Sequence, residues 1–143
     1  MKKYQIATDC GHTGHAVATL HAEITLGLKK GYGGFLQEKT AVLDCLTALY
    51  CREAEAGRLF IPMVVTDSVI TYAYRVADGK WHGEHEPALV LSSDKSPLYA
   101  AHISEEKWQL LVEETAHHLG EQFEQFRVYV TYSRVEVKIF QKI

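Results

Sequence analysis

Apolar and polar residues alternate strictly from Leu20 to Leu28. Leu20, Ala22, Ile24, Leu26 and Leu28 stand against His21, Glu23, Thr25 and Gly27, a period of two that puts the apolar set on one face of a strand. The glycines of "KKGYGG", residues 29 to 34, then favour a turn. Beyond them the period changes. Val42, Leu46, Leu49 and Tyr50, with Leu43 and Ala54 beside them, recur at helical spacing, which predicts a helix of about five turns starting near Leu36 and stopped by Gly57.

Residues 58 to 75 hold "LFIPMVV", "TDS" and "VITYAYRV", the β-branched and aromatic content of one long bent strand or of a hairpin. Pro62 cannot donate to a ladder, so this part belongs at an edge or a bulge. "ADGKWHGEHEP", 77 to 87, reads as a polar loop, and "ALVL", 88 to 91, as a short central strand apolar on both faces. Ser104 suits a helix cap, followed by Glu105 and Glu106 where the helix dipole favours acids and by a stripe of Trp108, Leu111, Val112, Thr115 and Leu119. Val135, Val137 and Ile139 alternate with Glu136, Lys138 and Phe140 in a last strand, and "KYQIAT" near the start could add a further one.

Strand, helix, strand, strand, helix, strand is the order of an α+β, ferredoxin-like βαββαβ sandwich with both helices on one face of an antiparallel-rich sheet. An extra N-terminal strand fits beside it. The second face would carry Phe140, Tyr129 or Tyr132 and one side of "ITYAY", more aromatic surface than a solvated face tolerates. Self-association through the sheet face would cover it, so a homo-oligomer is expected.

The 143 residues suffice for one domain, 1–143, burying about two thirds of its unfolded surface. With 15 basic residues scattered among 18 acidic ones, no basic stripe follows a phosphate backbone, so nucleic acid is not an expected partner. No apolar run reaches the length of a membrane span, and "MKKYQIATDCGH" turns polar too early for a signal peptide; the cytoplasm is the expected location. Three cysteines in unlike contexts suggest no disulfide framework. Cys45 and Cys51 on one helix would stand about 9 Å apart along its axis, too far to bridge.

Chemistry concentrates in a few places. "CGHTGH" brings Cys10, His12 and His15 together between glycines, a donor set suited to a divalent transition metal, with His82, His85 or His21 able to complete it. Paired zinc spacings are absent, and glycines with surface histidines equally make a plain turn. Cys10 as a nucleophile has only its neighbouring imidazoles in support, because a phosphatase loop needs arginine where Ala16 stands. Lys29, Lys30, Gly31, Gly33 and Gly34, between a strand and a helix start, could cradle a small anionic ligand, although no Walker or dinucleotide pattern closes the loop. Tyr72 and Tyr74 share one side of a strand, after a turn or bulge expected at Asp67 and Ser68, and would line a ligand groove if their side is uncovered.

These features favour a homo-oligomeric binding module for a small, anionic ligand held by Lys29 or Lys30 with tyrosines packing on its flat part. A metal-assisted hydrolase or proton-transfer enzyme built on Cys10, His12 and His15 is the alternative, and a structural protein-interaction domain is a third.

Overall fold

The computed structural model describes residues 3–6, 17–30 and 34–143. In chain order the elements are β1 (Tyr4–Ile6), β2 (Val17–Gly27), α1 (Lys39–Glu55), β3 (Val64–Arg75), β4 (Trp81–Asp94), α2 (Glu105–Gln122), β5 (Tyr129–Val137) and β6 (Phe140–Lys142). Four strands form an antiparallel sheet in the order β3-β4-β2-β5. The units β2-α1-β3 and β4-α2-β5 thus interleave, their first strands side by side at the centre, as in the expected split βαβ plan. The extra strand also forms, but elsewhere. β1 pairs with β6, Tyr4 opposite Lys142, in a separate two-stranded sheet.

The alternation in β2 sets the core. Ala22, Ile24 and Leu26 are fully buried and meet Val42 and Leu46 of α1, Leu89 and Leu91 of β4, and Trp108, Val112 and Leu119 of α2. Each large side chain buried this way contributes about 1.5–3 kcal/mol. Ser104 caps α2, its hydroxyl accepting the Lys107 N–H at 3.1 Å. Gly57, at φ +71°, ends α1 in the left-handed conformation that glycine adopts without strain. The start of α1 is later than the apolar spacing implies. Lys29 and Leu36 form a β-bridge and the Gln37 N–H donates to the Leu28 carbonyl at 2.6 Å, so this backbone is committed to an extended pairing before a helix can begin.

Two expectations need correction. Residues 77–87 are not a loop: β4 begins at Trp81, after a tight turn in which Gly79 has φ +82° and the Val76 N–H meets the Lys80 carbonyl at 2.8 Å. Polar side chains are compatible with a strand here because both faces of this stretch are open. Nor do Asp67 and Ser68 make a turn or bulge, since they pair in register with Leu89 and Ala88 inside one continuous β3. Pro62 precedes that strand, which lies at the sheet edge.

The sheet face opposite the helices is less aromatic than expected. Tyr132 points to the helices, its hydroxyl donating to Glu113 at 2.6 Å, and Phe140 lies in the separate sheet. Register places Glu23, Thr25, Thr131 and Ser133 in the middle of the open face, leaving Tyr129 and the ribbon tyrosines at one end.

Candidate functional site

β2 stops at Gly27, but β3 and β4 run on as a two-stranded ribbon, with Ile70 opposite Glu86 and Arg75 opposite Trp81. Alternation sends Ile70, Tyr72, Tyr74, His82, Glu84 and Glu86 to one side, continuous with the open sheet face. Tyr72 and Tyr74 stack with ring centroids 6.3 Å apart, and Tyr74 lies 5.3 Å from His82. The shared side expected for the two tyrosines is therefore present.

Lys29 enters this row from the end of β2. Its Nζ donates to Glu84 at 2.6 Å and its backbone N–H to Glu86 at 3.3 Å, while its carbonyl accepts from Gln125. The ammonium holds the Glu84 carboxyl below its ordinary range, and Glu84 in turn raises Lys29. Partial burial, then the carboxylates nearby, raise the Tyr72 phenol, so it stays protonated as a donor at neutral pH. The positive charge expected to hold an anion is thus already paired with Glu84, while Glu86 takes the backbone N–H of the same residue.

Beside this cluster lies a groove of about 400 Å³ lined by Gly27, Lys29, Ile70, Tyr72, Glu86, Phe126 and Tyr129 among others. Gly27 leaves room at the groove floor: a Cβ there would stand 2.9 Å from the Gln125 side-chain oxygen and 3.2 Å from Glu86 and would displace those side-chain ends. The groove offers flat rings, the Glu86 carboxylate, the Lys29 ammonium and the Arg127 guanidinium, a set that can stack on an aromatic ring and exchange hydrogen bonds with hydroxyl or amino groups.

The remaining candidates are not gathered here. Lys30 pairs with Glu124 and lies over the Phe35 ring at 5.4 Å, and Gly34 packs so closely that a Cβ would sit 1.8 Å from the Lys30 carbonyl. Gly31 and Gly33 lie outside the described residues, as do Cys10, His12 and His15. The helix after this loop starts only at Lys39, behind an N-cap, Glu38, whose side chain makes no capping bond. His82 and His85 occupy opposite faces of β4, as their odd spacing dictates. Among the described residues, no group of three His, Cys, Asp or Glu side chains is placed to hold a metal ion.

A second cluster on the open face escaped the sequence patterns. His21 Nδ1 lies 2.7 Å from Asp94 and Nε2 3.2 Å from Glu23. With a carboxylate at each ring nitrogen the imidazolium is favoured, and Asp94 leads in raising the His21 pKa. Glu23, two residues away, was legible as a same-face neighbour. Asp94 comes from cross-strand register, which periodicity does not supply. Between the helices, Cys45 Sγ lies 3.6 Å from His118 Nε2, yet burial raises the thiol, which disfavours the nucleophilic thiolate.

No protein-family model and no curated protein matches the sequence. Among solved structures, the chain is similar to a phage SAM lyase in complex with S-methyl-5'-thioadenosine, with a TM-score of 0.52 and 16% identity over 85% of this chain and 90% of that one. A phage SAM lyase in its apo state is similar with a TM-score of 0.52 and 17% identity over 85% of this chain and 89% of that one. At this identity the likeness concerns the fold.

Proposed function

We propose that the protein binds a small molecule in the groove at the ribbon end of the open sheet face, and that its ligand belongs to the nucleoside thioether and sulfonium class. The observation that carries this reading is the groove itself. Tyr72 and Tyr129 provide rings against which a purine can stack, while Glu86 on the groove wall, with the Lys29-paired Glu84 beside it, provides acceptors for ribose hydroxyls or a cationic sulfur. The ligand in the structural neighbour has that chemistry. Because the Lys29 ammonium is paired with Glu84, this reading replaces the small anion of the sequence analysis with a neutral or cationic partner, although the groove wall also carries the Arg127 guanidinium.

Calorimetric titration with S-methyl-5'-thioadenosine tests it. Saturable binding weakened about tenfold or more in Tyr72→Ala and in Glu86→Gln is expected; a folded protein that binds no nucleoside thioether, or whose variants bind as well as the parent, contradicts it.

The neighbour's description favours a second reading, in which the groove also turns over S-adenosylmethionine as a lyase. The substrate's own α-carboxylate would attack the γ-carbon and close a lactone, while the sulfonium sulfur keeps the bonding pair of the carbon–sulfur bond that breaks and departs as neutral S-methyl-5'-thioadenosine. Release of that thioether from S-adenosylmethionine by the protein, abolished in Glu84→Gln, would support the lyase; binding without release would leave a binding protein.

We further infer a homo-oligomer formed through the open face, supported by Tyr129 and Val64, 57% and 67% exposed at its two ends. Sedimentation showing a monomer at micromolar concentration would oppose it. Cytoplasmic location is kept as part of this reading, in keeping with free thiols at Cys45 and Cys51 and with no helix among the described residues long and apolar enough to cross a membrane. A metal site at Cys10, His12 and His15 with His82 or His85 is a separate proposal, supported only by its donor set. Stoichiometric metal in the purified protein, lost in His12→Ala, would establish it.

A further inference from the structure

At the other end of the molecule, on the helix side of the sheet, lies a cavity of about 530 Å³. It is larger than the groove, and its β4 residue Ser93 stands seven steps along the strand from Glu86, or about 23 Å. Trp108 and Ile61, 2% and 4% exposed, are among its most buried walls, and Phe60 and Tyr99 supply further rings. Phe60 is fixed by stacking on Tyr50 at 5.0 Å between centroids. The cavity is open to solvent beside Tyr99, 80% exposed, and its largely apolar walls offer the water within it few hydrogen bonds. An apolar occupant releases that water.

The polar residues of the lining are Arg58, Ser93, Asp94 and Ser96, and they define what the occupant carries. The Ser96 hydroxyl accepts the Leu98 and Tyr99 N–H groups, each at 3.2 Å, which leaves its own proton to donate. Asp94 also lines the cavity, and although one of its carboxylate oxygens is held by His21 at 2.7 Å, the other remains as an acceptor. Opposite them Arg58 is already chelated by Glu53, at 2.6 and 3.2 Å. A ligand hydroxyl can therefore accept from Ser96 and donate to Asp94, whereas a carboxylate would face a carboxylate and find the guanidinium occupied.

We propose that this cavity is a second binding site, independent of the groove, for a small neutral aromatic compound bearing a hydroxyl group, of the phenol type. The ring lies among Phe60, Trp108 and Tyr99 and the hydroxyl at the Ser96 and Asp94 rim.

The chain has two tryptophans, so the indole N–H cross-peaks of Trp108 and Trp81 are separable, and Trp81→Phe assigns them. Titration with 4-fluorophenol is expected to shift the Trp108 peak saturably at millimolar concentration or below, with 4-fluorobenzoate at least about tenfold weaker, or about 1.4 kcal/mol. Leu59→Trp, at a half-exposed wall, and Ile103→Trp each fill the cavity and are expected to abolish the shift. Tyr72→Ala, in the groove, is expected to leave it unchanged, which separates this site from the nucleoside reading. No saturable shift of Trp108 overturns the proposal, as does equal affinity for the benzoate or undiminished binding in a folded Leu59→Trp protein.

Discussion

His21 is the residue whose protonation the fold most visibly uses. Its pKa is raised chiefly by Asp94, so the folded state binds the proton more tightly than the unfolded chain, whose histidine titrates near about 6.5. The resulting stability is fully present below that pH and lost as pH rises through the raised folded value. Urea midpoints are therefore expected to fall between pH 5 and pH 8, and Asp94→Asn should flatten that dependence; a wild-type slope retained in the variant would remove His21 as its source. Lys29 and Glu84 act in the opposite sense for the carboxyl, which is held down. Lys29→Ala should return the Glu84 titration towards its ordinary range, read from the side-chain carboxyl carbon by NMR, and no movement would show that the pair is not formed in solution. Gly34 permits no side chain, because a Cβ would overlap the Lys30 carbonyl, and Gly34→Ala is expected to lower the melting temperature markedly.

Among the elements, those with a strong period were legible from residues alone. The alternation of β2, the stripe and Ser104 cap of α2, and the glycine that ends α1 all correspond to observed structure. Ser104→Ala is accordingly expected to cost about 1 kcal/mol in urea denaturation, and Leu119→Ala, fully buried, about 2–5 kcal/mol. The β3 arm of the ribbon was expected as a strand, but its β4 arm was not legible as one. Its residues face water on both sides, so "WHGEHEP" shows no apolar alternation, and the strand is imposed by pairing with β3. That same blindness hid the site. Tyr72 and Tyr74 could be put on one face by parity, but Glu84, Glu86 and Lys29 come together only through the register of β3, β4 and β2, and Gln125 through the turn after α2. The ribbon also accounts for an exposed indole. Trp81 is 67% exposed and Trp108 2%, so acrylamide should quench a Trp108→Phe protein far more strongly than a Trp81→Phe protein, and equal quenching would mean that the ribbon is covered in solution.

On the scale of the whole molecule, one sheet separates two kinds of chemistry. Its helix side is an apolar core that opens into a cavity at one end, while its other side is polar in the middle and collects rings and carboxylates where the ribbon leaves the sheet. That polarity explains why the function is read from the ribbon end. The most direct test is a map of amide shifts in the ¹H–¹⁵N spectrum on titration with S-methyl-5'-thioadenosine. The largest shifts are predicted at Gly27, Lys29, Tyr72, Glu86 and Tyr129. Shifts confined to the Ser96 and Trp108 end, or none at saturating ligand, would contradict the groove as the nucleoside site.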